Sequence, residues 1–133
     1  MSDLKVILPW GCLVPDNARM GGMVGKLSKR YRQGKEMATV IAMSQIKDPR
    51  PRYTEPVTVE YLFWLPDERR RDPNNLLKLI SDSLTGLAYD DDSRIRSISW
   101  LVMGVDRDNL RAEITVMPGT YKATWAKPIV EAE

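Results

Sequence analysis

The sequence predicts an α/β protein of the α+β kind, with its elements in the order β-α-β-α-β-β. Apolar residues alternate with other residues in Leu4–Leu8 and Val57–Phe63, which is typical of half-buried strands. Helix formers dominate residues 29–47 and 74–87, each behind a helix-start signal. Two more alternating segments complete the pattern. At 133 residues the chain has the size of one domain, and we expect that domain to span residues 1–118.

The first predicted strand ends at Pro9, and the chain then enters a long loop. Residues 10–26 combine Pro15, Asp16 and Asn17 with four glycines, a composition typical of loops. A long loop in a small domain is more often functional or disordered than idle. Arg19 and Lys26 on this loop are candidates for phosphate contacts, and a mobile loop without a role explains them nearly as well.

The first helix is expected from Lys29 to about Lys47, with Ser28 as its N-cap and Gly34 as its one interruption. Cations occupy its first two turns, where they oppose the helix dipole. This placement suggests a use other than stability, such as binding phosphate, and a solvated face or neutralisation by nearby carboxylates remains open. The cations are Lys29, Arg30, Arg32 and Lys35, and the expected apolar stripe is Met37, Ala38, Ile41, Ala42, Ser44 and Gln45.

The second strand should carry Val57, Val59, Tyr61 and Phe63 on one face, before a turn at residues 66–68. Two more strands are expected near the end of the chain, joined by a hairpin turn at residues 105–109. The first of them has Ile98, Trp100 and Val102 on one face, and the second has Leu110, Ala112, Ile114 and Val116. Residues 119–133 are expected to be a tail that is disordered or packed on a partner subunit.

The second helix is the element that brings chemistry with it. Pro73 favours an extended Asp72 and fits the first helical turn, so Asp72 should stand at the helix entrance. Gly86 should fray or cap the other end. The buried face is expected to carry Leu76, Leu77, Ile80, Leu84 and Leu87, and a polar stripe Asn74, Lys78 and Asp82. An ordinary solvent-facing stripe with a Lys78–Asp82 ion pair would produce the same pattern.

Carboxylates stand on both sides of this helix, because Asp90, Asp91 and Asp92 follow it. A helix of about four turns spans only ~22 Å, so a carboxylate before it can meet one after it. Grouped oxygen ligands suit Mg²⁺ or Mn²⁺, and the preceding Arg69, Arg70 and Arg71 suit a phosphate. The segment therefore predicts a metal-dependent phosphodiesterase that binds a polyanion, although an acidic turn alone is a weak metal signal.

Composition narrows the chemistry further. The chain contains no histidine and one cysteine, Cys12, which excludes a thiolate zinc cage and nucleophiles activated by histidine within one chain. From Arg19 to Arg52 the sequence contains nine basic residues and only two acidic ones, as expected of a surface that binds nucleic acid. No apolar run is long enough to span a membrane and no signal peptide is recognisable, so we expect a cytoplasmic protein with no membrane partner.

The segment from residue 64 to residue 95 resembles the RusA-type Holliday-junction resolvases, small dimeric endonucleases of bacteria and their phages. The resemblance lies in a basic run before Asp-x-Asp-Asn, a lysine four residues on, an Asp-x-Leu in the same helix, and a glycine turn leading to Asp-Asp. In this chain these are Arg69 to Arg71, Asp72, Asn74, Asn75, Lys78, Asp82, Leu84, Gly86, Asp91, Asp92 and Ile95. One departure is Asn74, where the family has its second aspartate.

The resemblance implies a small mixed four-stranded sheet with two helices, in a homodimer that acts on four-way-junction DNA without an organic cofactor. It implies Asp72, Asn74, Asp91 and Asp92 as ligands of Mg²⁺ or Mn²⁺, with Asp72, Asp92 and Lys78 catalytic. The DNA backbone would contact Arg69, Arg70, Arg71, Arg19, Lys26, Lys29, Arg30, Arg32 and Lys35. A bacterial cytoplasm, with a phage or prophage gene, is the implied setting.

Asn74 leaves alternatives open, because an amide can coordinate Mg²⁺ but brings no charge. Asp90 is a candidate to replace the missing carboxylate. A weak or inactive protein that only binds branched or single-stranded DNA is a second interpretation, with Trp10, Tyr31 and Trp64 as stacking platforms. A third is a small scaffold protein whose acidic surface is balanced by its arginines.

Overall fold

The structure is a computed structural model that describes residues 3–15, 28–48, 50–65 and 73–119. It contains four strands and two α-helices within these ranges, and it confirms the predicted order of elements and the α+β fold. The elements are β1 (Leu4–Pro9), α1 (Lys29–Gln45), β2 (Val57–Leu65), α2 (Leu77–Leu84), β3 (Ile95–Val105) and β4 (Arg111–Pro118). Short 3₁₀ turns lie at Trp10–Cys12, Pro73–Leu76 and Asp92–Arg94.

The strands form one mixed sheet in the order β1-β4-β2-β3. β2 and β3 are parallel, whereas β4 is antiparallel to both β1 and β2. The predicted hairpin at residues 105–109 is wrong, because β2 lies between β3 and β4. The connection instead crosses the end of β2, where the Asp106 amide donates to the Leu65 carbonyl at 3.2 Å. Because β3 runs parallel to β2, both strands finish at the same end of the sheet. The chain can therefore cross that end of β2 and come back as β4 on the other side of β2.

One face of the sheet is apolar and packs against the helices. The alternation predicted for β2 is confirmed, since Val57, Val59, Tyr61 and Phe63 are all fully buried. The neighbouring strands contribute the same face in register, with Tyr61 beside Ile114. The core residues of β1 and β4 on this face are Leu4, Val6, Leu8, Ala112, Ile114 and Val116.

Helix α1 begins as predicted, with the Ser28 hydroxyl accepting a hydrogen bond from the Tyr31 amide at 3.1 Å. The predicted stripe is only partly right: Ala38 and Ala42 are buried, but Met37 is 49% exposed. The buried face runs through Tyr31 and Gly34 instead. A Cβ at Gly34 would lie 2.7 Å from the Cys12 carbonyl, so the absence of a side chain at Gly34 lets the helix approach the chain after β1 closely.

Helix α2 is shorter than the predicted helix of residues 74–87, because its first turn is 3₁₀. Three residues per turn rather than 3.6 shift the face that meets the core. Leu79 is therefore fully buried, although it was not expected there, while Leu77 and Leu87 are only partly buried. Leu76, Ile80 and Leu84 are buried as predicted, and Gly86 follows the helix with a positive φ of 88°. No helix in the described part of the chain is long and apolar enough to cross a lipid bilayer.

Candidate functional site

A pocket of about 350 Å³ opens where α2 faces the beginning of β3. Its wall includes Asn74, Lys78 and Asp92, three of the residues that the sequence singled out. Asn74 lies in the 3₁₀ turn that precedes α2, and Lys78 follows four residues later on the same side. Asp92 starts the turn that leads into β3, which the parallel pairing with β2 brings alongside α2. The fold thus gathers an amide, an ammonium and a carboxylate at one opening.

Lys78 has contacts that fit two roles. Its Nζ lies 3.5 Å from the Asp82 carboxylate, one helical turn further on, and its side chain is 43% exposed. An exposed pair of this kind contributes little to stability, about 0.3–0.5 kcal/mol. The contact agrees with the simple pairing that the sequence left open, and the exposure at the pocket also leaves the ammonium accessible to an anion.

The three consecutive aspartates have three different surroundings. Asp90 accepts two hydrogen bonds from the Arg94 guanidinium, at 2.8 and 3.1 Å, and these bonds lower the pKa of its carboxyl group. Asp91 caps the following 3₁₀ turn, and its hydrogen bonds with Ser93 likewise lower its pKa. Of the three, Asp92 belongs to the pocket wall. The structure therefore places the expected ligand Asp91, and Asp90 as a substitute for the missing aspartate, in local turn contacts.

The side chains at the pocket can be examined as ligands for a divalent cation. Within residues 3–15, 28–48, 50–65 and 73–119 no three carboxylate, cysteine or histidine side chains form a metal-binding group. Asp72, the expected ligand at the helix entrance, lies outside the described residues. Asn74 and Asp92 nevertheless bring an amide oxygen and a carboxylate to the same wall, and hard oxygen donors are what Mg²⁺ and Mn²⁺ prefer.

Tyr61 is a site residue that sequence reasoning missed. It lines the pocket, yet its hydroxyl is buried and has no hydrogen-bond partner among the described residues. Burial raises the pKa of this phenol, so it stays protonated and can donate. A tyrosine on the buried face of a strand was the available signal, because a buried phenol normally needs a partner. The neighbouring Tyr89 hydroxyl, by contrast, donates to the Ser81 carbonyl at 2.9 Å.

The basic surface is only partly described. Lys29, Arg30 and Arg32 are exposed and Lys35 is partly buried on the first turns of α1. No ion pair joins any of these four to another described residue, so the neutralisation considered from the sequence does not occur within that part of the chain. The other expected DNA contacts, Arg19, Lys26, Arg69, Arg70 and Arg71, lie outside the described residues.

The aromatic residues considered as stacking platforms differ in access. Tyr31 is 1% exposed and belongs to the core, so it cannot stack on a base. Trp64 is partly buried and already carries the Arg111 guanidinium 3.8 Å from its ring centre. Trp10 lines a second pocket of about 300 Å³, together with Arg30 of α1. Of these three aromatic residues, only Trp10 lines an open pocket that also has a cation in its wall.

The fold and the site together define a small α+β protein with a polar pocket at one side of a mixed sheet and an exposed basic helix start. Residues 15–117 match the model of a protein family described as Endodeoxyribonuclease RusA. Because the match covers more than half of the chain, the protein belongs to the RusA endodeoxyribonuclease family, as the sequence resemblance indicated. No curated protein matches the chain.

Proposed function

We propose that the protein is a metal-dependent, structure-specific endonuclease that resolves Holliday junctions by paired symmetric nicks during DNA recombination or repair. The observation that carries the proposal is the convergence of Asn74, Lys78 and Asp92 on one pocket in a chain of a nuclease family. Hydrolysis of a phosphodiester needs oxygen ligands for a cation and a positive charge near the phosphate, and this pocket offers both kinds of group.

Asp92 and Asn74, with Asp72 and Asp91 as further ligands, would hold Mg²⁺, or Mn²⁺ in its place. When bound, such an ion lowers the pKa of a water molecule and stabilises charge on the phosphate, which removes the need for a histidine base. Asn74 contributes no charge, so the affinity for the ion should be lower than that of an all-carboxylate site.

The chain's own donors complete the site. The Lys78 ammonium would bind a phosphate oxygen or stabilise the charge that develops during hydrolysis. Its neighbour Asp82 sits 3.5 Å from Nζ and would hold the side chain along the helix. Tyr61 would shape the inner wall of the pocket, because its side chain is fully buried and its hydroxyl is not accessible to a bound phosphate.

Away from the pocket, the cations at the start of α1 would bind backbone phosphates, together with Arg19, Lys26 and Arg69 to Arg71. Contacts of this type carry no base identity and weaken as salt rises. Recognition would then follow the shape of the branch. Paired cuts require two sites, so the proposed active form is a homodimer, and we propose a bacterial cytoplasm and a phage or prophage gene as its setting.

A second candidate function is a DNA-binding protein of the same fold with weak or no catalysis. The observation that favours it is Asn74, which puts a neutral amide at the pocket where the family has a carboxylate. Such a protein would bind four-way junctions in a salt-sensitive manner and would leave them intact. The stacking platforms suggested for it are reduced to Trp10, since Tyr31 is buried and Trp64 is already covered by Arg111.

The deciding experiment incubates the protein with a synthetic four-way junction and with a linear duplex of the same sequence, in Mg²⁺, Mn²⁺ or chelator. We expect symmetric nicks in the junction alone, lost with chelator. Lys78→Met should slow nicking by roughly 100-fold, and Asp92→Asn should slow it at least as much. Asp90→Asn is the matched control, because the Asp90 carboxylate is paired with Arg94 and does not line the pocket.

The two candidate functions give different results in the same assay. Tight junction binding without nicks in either metal would refute the endonuclease and support the binding protein. Asn74→Asp should then tell whether the amide is the cause, because a restored carboxylate is expected to raise metal-dependent cleavage. Equal cleavage of junction and duplex would refute specificity for branched DNA.

A further inference from the structure

β3 is the most exposed apolar element in the described part of the chain. Ile98, Trp100 and Val102 lie beside the buried Val59, Tyr61 and Phe63 of β2, yet they remain exposed. Leu101 on the opposite face is exposed as well. Six large apolar side chains of this strand are between 39% and 58% exposed: Ile98, Trp100, Leu101, Val102, Met103 and Val105. Contiguous apolar surface of this kind marks an interaction site rather than ordinary surface.

The strand also has an open hydrogen-bonding edge. β3 is the last strand in the sheet order and pairs only with β2 among the described strands. It runs for eleven residues, Ile95–Val105, which is long for an edge strand. A long, apolar edge strand is a template for pairing with another strand. Natural proteins usually shorten, charge or cover such an edge. The presence of a long, apolar edge strand in this protein therefore suggests a partner.

The other edge of the sheet is blocked at one residue by a side chain, which limits what that partner can be. The Gln45 side chain of α1 accepts from the Ile7 amide and donates to the Ile7 carbonyl, both at 2.7 Å. It thereby occupies the outward-facing backbone amide and carbonyl of Ile7, near the middle of β1. A chain with two open edges would build filaments, whereas a chain with one open edge can close a two-fold dimer.

The charges at the ends of β3 are complementary under two-fold symmetry. An antiparallel pairing of β3 with a second β3, centred on Leu101, places Arg96 of each strand opposite Asp106 of the other. Asp106 is the residue after β3, and its carboxylate also pairs with Arg111 of its own chain at 3.3 Å. In the same register Trp100 lies opposite Val102, and Leu101 lies opposite itself. Cross-strand pairs of opposite charge and of apolar residues are the pairs that stabilise sheets, whereas a parallel pairing would set Arg96 beside Arg96.

We infer that β3 is the surface on which a second copy of this chain docks, by antiparallel pairing centred on Leu101. The inference rests on the proposed homodimer and deepens it by naming its interface. Opposite residues of an antiparallel pair point to the same face, so both copies keep their helices on one side of a continuous eight-stranded sheet. Both pockets then open on that same side, which suits a protein that cuts two strands of one junction.

The first test measures the mass of the full-length protein by sedimentation equilibrium. We expect a dimer for the unaltered chain. Leu101→Arg sets two like charges opposite each other at the centre of the interface and should raise the dimer dissociation constant roughly tenfold or more. Val40→Arg is the matched control, since Val40 is an equally apolar, 65% exposed residue on α1, and it should leave the dimer intact. Circular dichroism and thermal unfolding verify that both variants are folded.

The second test fixes the register by disulfide cross-linking under a mild oxidant. Leu101→Cys should form a dimer linked through the two introduced thiols, because opposite Cβ atoms in a sheet are within about 5 Å. Val105→Cys should not cross-link, since two copies of residue 105 would lie about 27 Å apart at ~3.4 Å per residue. The unaltered chain is a further control, because its single Cys12 is buried and burial raises the Cys12 pKa to about 11.

Each outcome bears on the interface separately from catalysis. A monomeric unaltered protein, a dimer that survives Leu101→Arg, or cross-linking at residue 105 without cross-linking at residue 101 would overturn the inference. A dimer with the expected cross-links that fails to nick junctions would leave the interface standing and refute only the endonuclease. If the protein nicks junctions but dimerises through another surface, the endonuclease proposal would stand and the β3 interface would be refuted.

Discussion

The two outer strands of the sheet, β1 and β3, differ in how their outward-facing edges are covered. β1 has six residues in a regular pattern of buried and exposed positions, and the Gln45 amide bonds to the backbone of Ile7. β3 has eleven residues and exposes apolar side chains on both faces. A side-chain amide has the donor and acceptor of a peptide group, so Gln45 acts as a one-residue substitute for a neighbouring strand. The comparison shows that one outer strand has a side chain bonded to its edge, whereas the other presents a long apolar edge.

The largest expected effect concerns the support of the β1 edge. Gly34 lets α1, which carries Gln45, approach the chain after β1: a Cβ there would lie 2.7 Å from the Cys12 carbonyl and 2.8 Å from Val14 Cγ2. Gly34→Val should therefore lower the free energy of unfolding by about 2–3 kcal/mol, measured by urea denaturation. Gly11→Val is the control, because nothing lies within 4 Å of a Cβ at Gly11. Equal losses in the two variants would contradict close packing as the cause.

An intermediate effect is expected from opening the β1 edge itself. Gln45→Ala removes both hydrogen bonds to Ile7 and should cost about 1 kcal/mol, because both groups are near solvent. The more telling result is assembly: with β1 and β3 both open, light scattering at high concentration should detect species larger than a dimer. Ser44→Ala alters the neighbouring position, whose hydroxyl donates to the Ile41 carbonyl within the helix, and should leave size unchanged. Dimers alone in Gln45→Ala would show that the amide does not guard the edge.

The smallest effect concerns the turn that leads into β3. The Arg94 guanidinium lowers the pKa of Asp90, so the folded state holds this carboxylate charged more strongly than the unfolded chain does. The resulting stability is present above the unfolded pKa of about 3.9 and is lost as the pH falls through the lower folded value. Asp90→Asn should thus slightly lower the melting temperature at pH 7, and the difference from the unaltered protein should shrink as the pH falls below the unfolded pKa of about 3.9. Because both side chains are exposed, a large effect at pH 7, or one that persists in acid, would contradict the ion pair as its source.

Much of the fold was predictable because it depends on local patterns. The alternation in β2 identified its buried face, and Ser28 identified the start of α1, since capping depends on a few adjacent residues. The errors arose where distant contacts decide. Met37 was expected in the core, but Gly34 and the chain after β1 set the helix rotation; the hairpin was expected because β3 and β4 are consecutive, but β2 separates them.

The candidate site divides in the same manner. Asn74, Lys78 and Asp92 were identified from the family resemblance around one helix, and the structure gathers them at one pocket. Tyr61 was missed because its alternation indicated core, and only the folded chain shows that this core residue also lines the pocket. Asp72 and the arginines at 69 to 71 remain predictions, since they lie outside the described residues.

The sequence by itself determined the elements, their order, the buried face of β2 and the residue types that make a phosphodiesterase chemically plausible without histidine. Tertiary structure alone decided which strands are neighbours, which of three adjacent aspartates reaches the pocket, and which edge of the sheet is open. The physical reason is range: propensity and periodicity act over a few residues, whereas strand order, the Gln45–Ile7 bonds and the exposure of β3 depend on residues that are distant in the chain.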